Sequence, residues 1–412
     1  MTFLSAFAWL IKGATMNDQI LGKKIDNILI EWSSFPDKFS ETVKYIQELP
    51  ETFLVTPPKF IPINKLEDDL FALFTYSKSS NARTVELRNL QSDSSIHTWE
   101  IDGFDNSHRR IIHPLLYPDQ SIVYASIGVP GIFRINKDSE KIWDQPKIIS
   151  HHSLNRDNNN NIWLCTYPTL NIKEPKYDAQ VIIDGRKVGF IDNAITCLDF
   201  DNGSIVFHRS LSRILKDNNL ENILLKASKS SDPLHINDIQ PVLKSSYYFQ
   251  KGDLFISCKN ISTIFHYRPL GNKIINIIEG PFQSQHDIDI INDSTISIFN
   301  NNTHTKWQNE ATEWTKTSSP LRLGPFYSEI VLYHLDDHSF STEQKNSMEA
   351  NEIYTFTEGL SEKLGDETFF IEEQNSGLLW VLKNDEVIYK NVLKSQYEGH
   401  HHLPNWTRII KN

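Results

Sequence analysis

Hydrophobic positions change their spacing once along the chain, at Pro57 and Pro58. Ahead of that pair, Ile28, Ile30, Trp32, Phe35, Phe39, Val43 and Ile46 recur mostly three or four residues apart. This spacing predicts an amphipathic helix between Ile25 and Leu49, which Pro36 breaks or restarts. After the prolines, short alternating runs of Ile, Val, Phe, Tyr and Trp take over, separated by turns rich in Asn, Asp, Gly and Ser. LFALFTYS from Leu70, SIVYASI from Ser121, DLFISCKN from Asp253, EIVLYHLDD from Glu329 and GLLWVLKNDEVIYKN from Gly377 are examples. Many short antiparallel strands are expected.

The strand-like runs group loosely into six units, starting near residues 59, 109, 150, 233, 284 and 352. Each is about the length of a four-stranded blade. The third is the longest, and LSRILKDNNLENILLKAS, from Leu211, has helical apolar spacing, so an inserted helix is expected at Ser212 to Lys229. The expected class is all-β, a six-bladed β-propeller over 59–412, preceded by a short apolar and helical segment over 1–58. A β-sandwich pair would not give six comparable units, and a β-helix would show a shorter repeat. A ring must also hide its sheet edges. NWTRII at Asn405 is the candidate strand that returns to the first unit.

Composition narrows the function. The 412 residues carry a formal net charge of -11 and no basic block, which disfavours nucleic-acid binding. Cys165, Cys197 and Cys258 match no zinc spacing and read as free buried thiols. The apolar run Thr2 to Ile11 is too short to span a bilayer. It reads equally as the remnant of a signal-anchor, giving membrane association, or as a helix face packed on the protein.

Four of the units open on histidine: His113, the pair His151 and His152, His235, and His286. In a propeller, equivalent positions meet at one end of the central axis, so a cluster of imidazoles is expected in one funnel. Asn237 follows His235 by two residues, and on a strand the two would share a face. Lys259, in the second strand of the same unit, adds an ammonium. Imidazoles can act as nucleophiles or proton carriers near neutral pH, and Lys and Asn donors can hold an anionic group in transfer. Converging carboxylates, a Gly-rich phosphate cradle and a G-x-S-x-G elbow are all missing. A structural role is favoured for His113, His97, His108, His208, His266, His304, His334 and His338. Asp287, beside His286, is expected to face the other way. His400, His401 and His402 read as a solvated loop rather than a metal-binding tract. A histidine metal centre in the funnel ranks below covalent chemistry.

HHSLNRDNNNNIW, DPLHINDIQP, GDLFISCKNISTIFHYRP, GPFQSQHDIDI with SIFNNN, and FFIEEQNSGLLWVL run in order over roughly residues 110 to 410. On these motifs the chain resembles the arylsulfate sulfotransferase family. The resemblance implies a six-bladed propeller that moves a sulfuryl group from an aryl sulfate donor to a hydroxyl acceptor, without nucleotide sulfate, metal or organic cofactor. It implies that His286 becomes transiently sulfated. His235, Asn237 and His152 (or His151) would hold the sulfuryl group, with His113 at the edge of the site. It also implies a bacterial envelope setting, facing the periplasm, with a cytoplasmic one left open. Lys259 departs from the pattern, because the family has arginine there. Lysine keeps the charge but loses the planar fork. The alternatives are a non-catalytic propeller that binds a sulfated or anionic ligand, and a scaffold whose histidines only make internal hydrogen bonds.

Overall fold

The computed structural model describes residues 52–411 apart from 80, 105–108, 169–179, 184, 230 and 304–326. The apolar run at 2–11, the helix expected between 25 and 49, His108 and His304 lie outside the described residues. What is described is mostly β.

Strand pairing follows the alternating runs. Three sheets are four-stranded antiparallel meanders. One joins Ile236–Pro241, Leu254–Cys258, Thr263–Arg268 and Lys273–Ile278. A second joins His286–Asn292, Thr295–Asn300, Glu329–His334 and Phe340–Glu343. The third is Phe71–Ser77, Arg83–Asn89 and Ser94–Ile101, and its fourth strand, at one edge, comes from far along the chain: Arg408–Ile410 pairs with Phe71–Ser77. NWTRII therefore returns to the first strands as expected.

Two larger sheets carry the same four-strand pattern. In one, the long strand Lys141–Arg156 is shared by two meanders. Its first part closes the set Leu115–Leu116, Ile122–Ala125 and Pro130–Ile135. Its second part opens the set Ile162–Thr166, Ala194–Leu198 and Ile205–Ser210. The last sheet runs Leu360–Gly365, Thr368–Glu373, Leu378–Lys383 and Glu386–Lys394, and is widened by His400–His402 and Phe53–Val55. The expected insertion is two short helical turns, Leu211–Asp217 and Glu221–Lys226, whose Leu211, Ile214, Leu215, Ile223 and Leu224 are buried.

The core lies in seams between neighbouring meanders. Phe255 and Ile264 meet Ile288, Ile296 and Val331 across one seam. Phe299 and Ile330 meet Phe369, Ile371 and Trp380 across the next. A further seam joins the last sheet to the first strands, with Phe370 and Val381 against Ala72, Phe74, Trp406 and Ile409. Each buried large apolar side chain stabilises the fold by roughly 1.5–3 kcal/mol relative to exposure, so the seams, not the sheet interiors, fix neighbour to neighbour.

The His400–His402 tract is not a solvated loop. It is a strand between Phe53–Val55 and Lys394, with His401 and His402 buried. His401 bonds Thr56 Oγ1 through Nδ1 and the Ser376 carbonyl through Nε2, both at 2.9 Å. His402 packs on Phe53 and Tyr76. Cross-strand pairing and aromatic packing outweigh the polarity of the tract.

Candidate active site

Five residues at or just ahead of strands share an unusual backbone. His113, His152, His235, Glu358 and Trp406 all have positive φ, between 48° and 61°. A left-handed residue turns the chain sharply, and it costs energy for any residue with a Cβ. His286 does not adopt it; Asp287 beside it does, at φ 47°. The four histidine leads are therefore not equivalent in backbone, although they read alike in sequence. His235 also sits one residue ahead of its strand, which starts at Ile236, so simple alternation does not relate it to Asn237.

Four of these imidazoles come together. The His152 ring lies 5.2 Å from His151, 5.0 Å from His235 and 5.9 Å from His286, centroid to centroid. Trp406 closes the group from another side, 5.9 Å from His152 and 6.0 Å from His286. His113 touches this group only through Trp406, at 5.5 Å. Burial, then the field of Arg408, holds the His113 ring well below the usual histidine pKa.

Hydrogen bonds set the tautomers. Asn301 Nδ2 donates to the carbonyls of Thr355 (2.9 Å) and Glu358 (2.7 Å), so its other terminal atom is the oxygen. That oxygen lies 2.6 Å from His286 Nδ1, which must carry the hydrogen. His286 Nε2 then bears the lone pair, and it is buried with no hydrogen-bond partner. Burial, then the nearby Lys259 charge, keeps His286 well below the ordinary histidine pKa. His151 and His152 share one hydrogen bond, Nδ1 to Nδ1 at 2.9 Å. Burial and then His235 bring His151 down to about 3, and the same causes push His152 well below its usual value.

His235 is the partly open member. Its Nδ1 lies 2.5 Å from Asp232 Oδ2. Desolvation would raise the Asp232 carboxyl, but the bond from His235 holds it below the usual range. Lys259 opens a single turn, Lys259–Ile261, directly after the strand Leu254–Cys258, and its backbone N–H donates to the His235 carbonyl at 3.1 Å. Burial pulls its ammonium down, against the fields of Glu358 and Asp232. No hydrogen-bond or ion-pair partner of that ammonium exists among the described residues. Asn237 is buried, with Nδ2 donating to the Gln285 carbonyl at 2.7 Å. Its Oδ1, an acceptor, is buried and unpaired. Asp287 accepts from the Ser361 N–H at 2.9 Å and carries no obvious reactive role.

Three contributors escaped the sequence reading. Asp232 and Asn301 lay inside DPLHINDIQP and SIFNNN, but a side chain that only orients a histidine has no pattern of its own. Trp406 lay in NWTRII, read only as a closing strand. Among the described residues no three His, Cys, Asp or Glu side chains group as metal ligands.

A mostly-β chain that buries an unpaired imidazole nitrogen beside an unpaired ammonium is equipped for anion chemistry. A family model described as Arylsulfotransferase (ASST) matches residues 118–391, more than half of the chain, and the chain belongs to that family. No curated protein matches the sequence. Among solved structures, a protein of unknown function from Bacteroides caccae is 9% identical with a TM-score of 0.53, covering 84% of this chain and 100% of its own. The WD40 beta propeller domain of Doa1 gives 9% identity and a TM-score of 0.42, over 83% and 87%. A streptogramin B lyase gives 13% and 0.40, over 86% and 91%. At these identities the likeness concerns fold alone.

Proposed function

We propose that the meanders are six propeller blades around one axis, and that the imidazole cluster at one end moves a sulfuryl group from an aryl sulfate to a hydroxyl acceptor. The observation that carries the reading is His286 Nε2: neutral, buried, unpaired, and aimed by a hydrogen bond on the opposite nitrogen. Such a nitrogen is a nucleophile that needs no prior deprotonation.

Nε2 attacks the sulfur and the bond from sulfur to the aryl oxygen breaks. The phenolate leaves with the electron pair and takes a proton from His235 Nε2. Asp232, behind that ring, stabilises its charged form before the transfer. The sulfuryl group now sits on Nε2, the Nδ1 hydrogen stays on His286 and keeps its bond to the Asn301 oxygen, and Lys259 balances the sulfuryl oxygens. An acceptor hydroxyl then gives its proton to His235 and attacks sulfur, the N–S bond breaks, and His286 returns neutral. His151, His152 and the remaining N–H of Asn237 steady the group in flight. A periplasmic setting and an N-terminal membrane anchor belong to the same proposal.

Intact-mass spectrometry after mixing with 4-nitrophenyl sulfate tests it. A single sulfuryl adduct on the wild type, removed by a phenol and absent from His286→Ala, is expected. An adduct that persists in His286→Ala overturns the assignment. No adduct with several aryl sulfates favours the non-catalytic binder.

A further inference from the structure

Resting on that reading of the site, we infer that Arg110 is a positioning residue that engages the Glu358 carboxylate and keeps it from pairing with Lys259, so that the half-buried ammonium stays available for a monoanionic ester. Arg110 grips Glu358 through both nitrogens, Nη1 to Oε2 at 2.9 Å and Nη2 to Oε1 at 2.6 Å. Its Nη1 also reaches Asn405 Oδ1 at 3.2 Å. These contacts tie it to both walls of the site. Glu358 receives Asn301 Nδ2 on its carbonyl, and Asn301 orients His286. Asn405 precedes Trp406, which packs on His152 and His286.

Charge counting gives the reason. The His151, His152 and His286 rings are neutral at pH 7 because burial disfavours their charged forms. Asp232 is committed to His235, and Glu358 is committed to Arg110 in a planar fork-to-fork pair. Lys259 has no ion-pair partner of its own among the described residues, although the fields of Glu358 and Asp232 reach it. A partly dehydrated pocket with one unpaired ammonium matches a sulfate ester, which carries one negative charge. It matches poorly a phosphate monoester, which carries nearly two at neutral pH. If Glu358 were released, its carboxylate would face the nearest unpaired cation, Lys259, and compete with the substrate.

Toluenesulfonate and phenyl phosphate serve as probes, with binding measured by calorimetry on the full chain. Neither needs turnover, so a failed sulfotransferase reading is told apart by the mass experiment above. Arg110→Gln is expected to weaken toluenesulfonate binding by about tenfold or more. The double variant Arg110→Gln with Glu358→Gln is expected to restore it, which a merely structural role would not do. Where turnover is measurable, Arg110→Gln raises KM for the aryl sulfate more than it lowers kcat. Glu358→Gln alone leaves a second free cation, so phenyl phosphate, excluded by the wild type, is expected to bind. Should Arg110→Gln not fold, the Glu358→Gln measurement decides alone. The inference is overturned if the double variant binds toluenesulfonate no better than Arg110→Gln, or if Glu358→Gln gains nothing toward phenyl phosphate.

Discussion

The chemistry of single side chains here is set by what lies behind them. Asn301 gives His286 its tautomer, and Asp232 does the same for His235. With Asn301→Ala the imidazole can rotate and place its hydrogen on either nitrogen, so kcat should fall on the order of 10²-fold, with a loss of stability of about 1–3 kcal/mol from the unpaired carbonyls of Thr355 and Glu358. Nitrogen-15 NMR of labelled histidine checks the premise. His286 should show a protonated Nδ1 and an unprotonated Nε2, and keep that pattern as pH falls from 7.5 to 5.5. Protonation of Nε2 near pH 6.5 would overturn it. The proposed nucleophile, His286, drew attention in the sequence because Q-H-D with SIFNNN is specific. Its orienting partner was not legible, since an asparagine in a run of asparagines carries no mark of which one turns inward. Lys259 was legible as a departure from arginine, but its lack of a partner needed coordinates.

Short strands and turns decide where those side chains point. The β-branched and aromatic runs located the strands well, from Phe71–Ser77 to Glu386–Lys394; Phe71–Ser77 is buried on both faces, Ala72 and Phe74 in one seam and Leu73 in another. Alternation failed at the strand entrances, where left-handed residues such as His235 and Trp406 interrupt the two-residue period. It failed also at His400–His402, whose burial comes from partners more than three hundred residues away, such as Thr56. The entrance of the strand Arg408–Ile410 is pinned by Glu372, which accepts from the N–H groups of Trp406 and Thr407, both at 2.8 Å, and from the Thr407 hydroxyl. Desolvation outweighs those bonds and pushes the Glu372 carboxyl up from 4.5 to about 7. A carboxyl raised in the folded state binds its proton more tightly there than in the unfolded chain. The stability it adds is complete below about pH 4.5 and is lost as pH climbs through 7, by about 3 kcal/mol in order of magnitude. The buried histidines act the other way below pH 6.5. The comparison with Glu372→Gln isolates the carboxyl: between pH 5 and pH 8 the urea midpoint of the wild type should drop further than that of the variant. Equal drops would refute the assignment.

Taken together, the molecule is held by seams that run from each meander to the next and from the last back to the first. The period of the repeat could be read from the chain, because every unit must cover its neighbour. The pairing of Arg408–Ile410 with Phe71–Ser77 could only be guessed from the need to cover an edge. Removing residues 405–412 should therefore do more than trim a tail. It deletes Trp406 from both a seam and the imidazole cluster and exposes the edge of Phe71–Ser77. A broadened thermal transition and aggregation on size-exclusion chromatography are expected, and a truncated chain that melts like the full one would count against this account. The same strand has a consequence for biosynthesis. Every other described strand leaves the ribosome before Arg408–Ile410 does, so the nascent chain waits with its earliest meander one strand short and its last seam unsealed. Until those residues emerge, the growing chain is a client for chaperones and proteases, and the imidazole cluster cannot gain its Trp406 wall on an unfinished polypeptide.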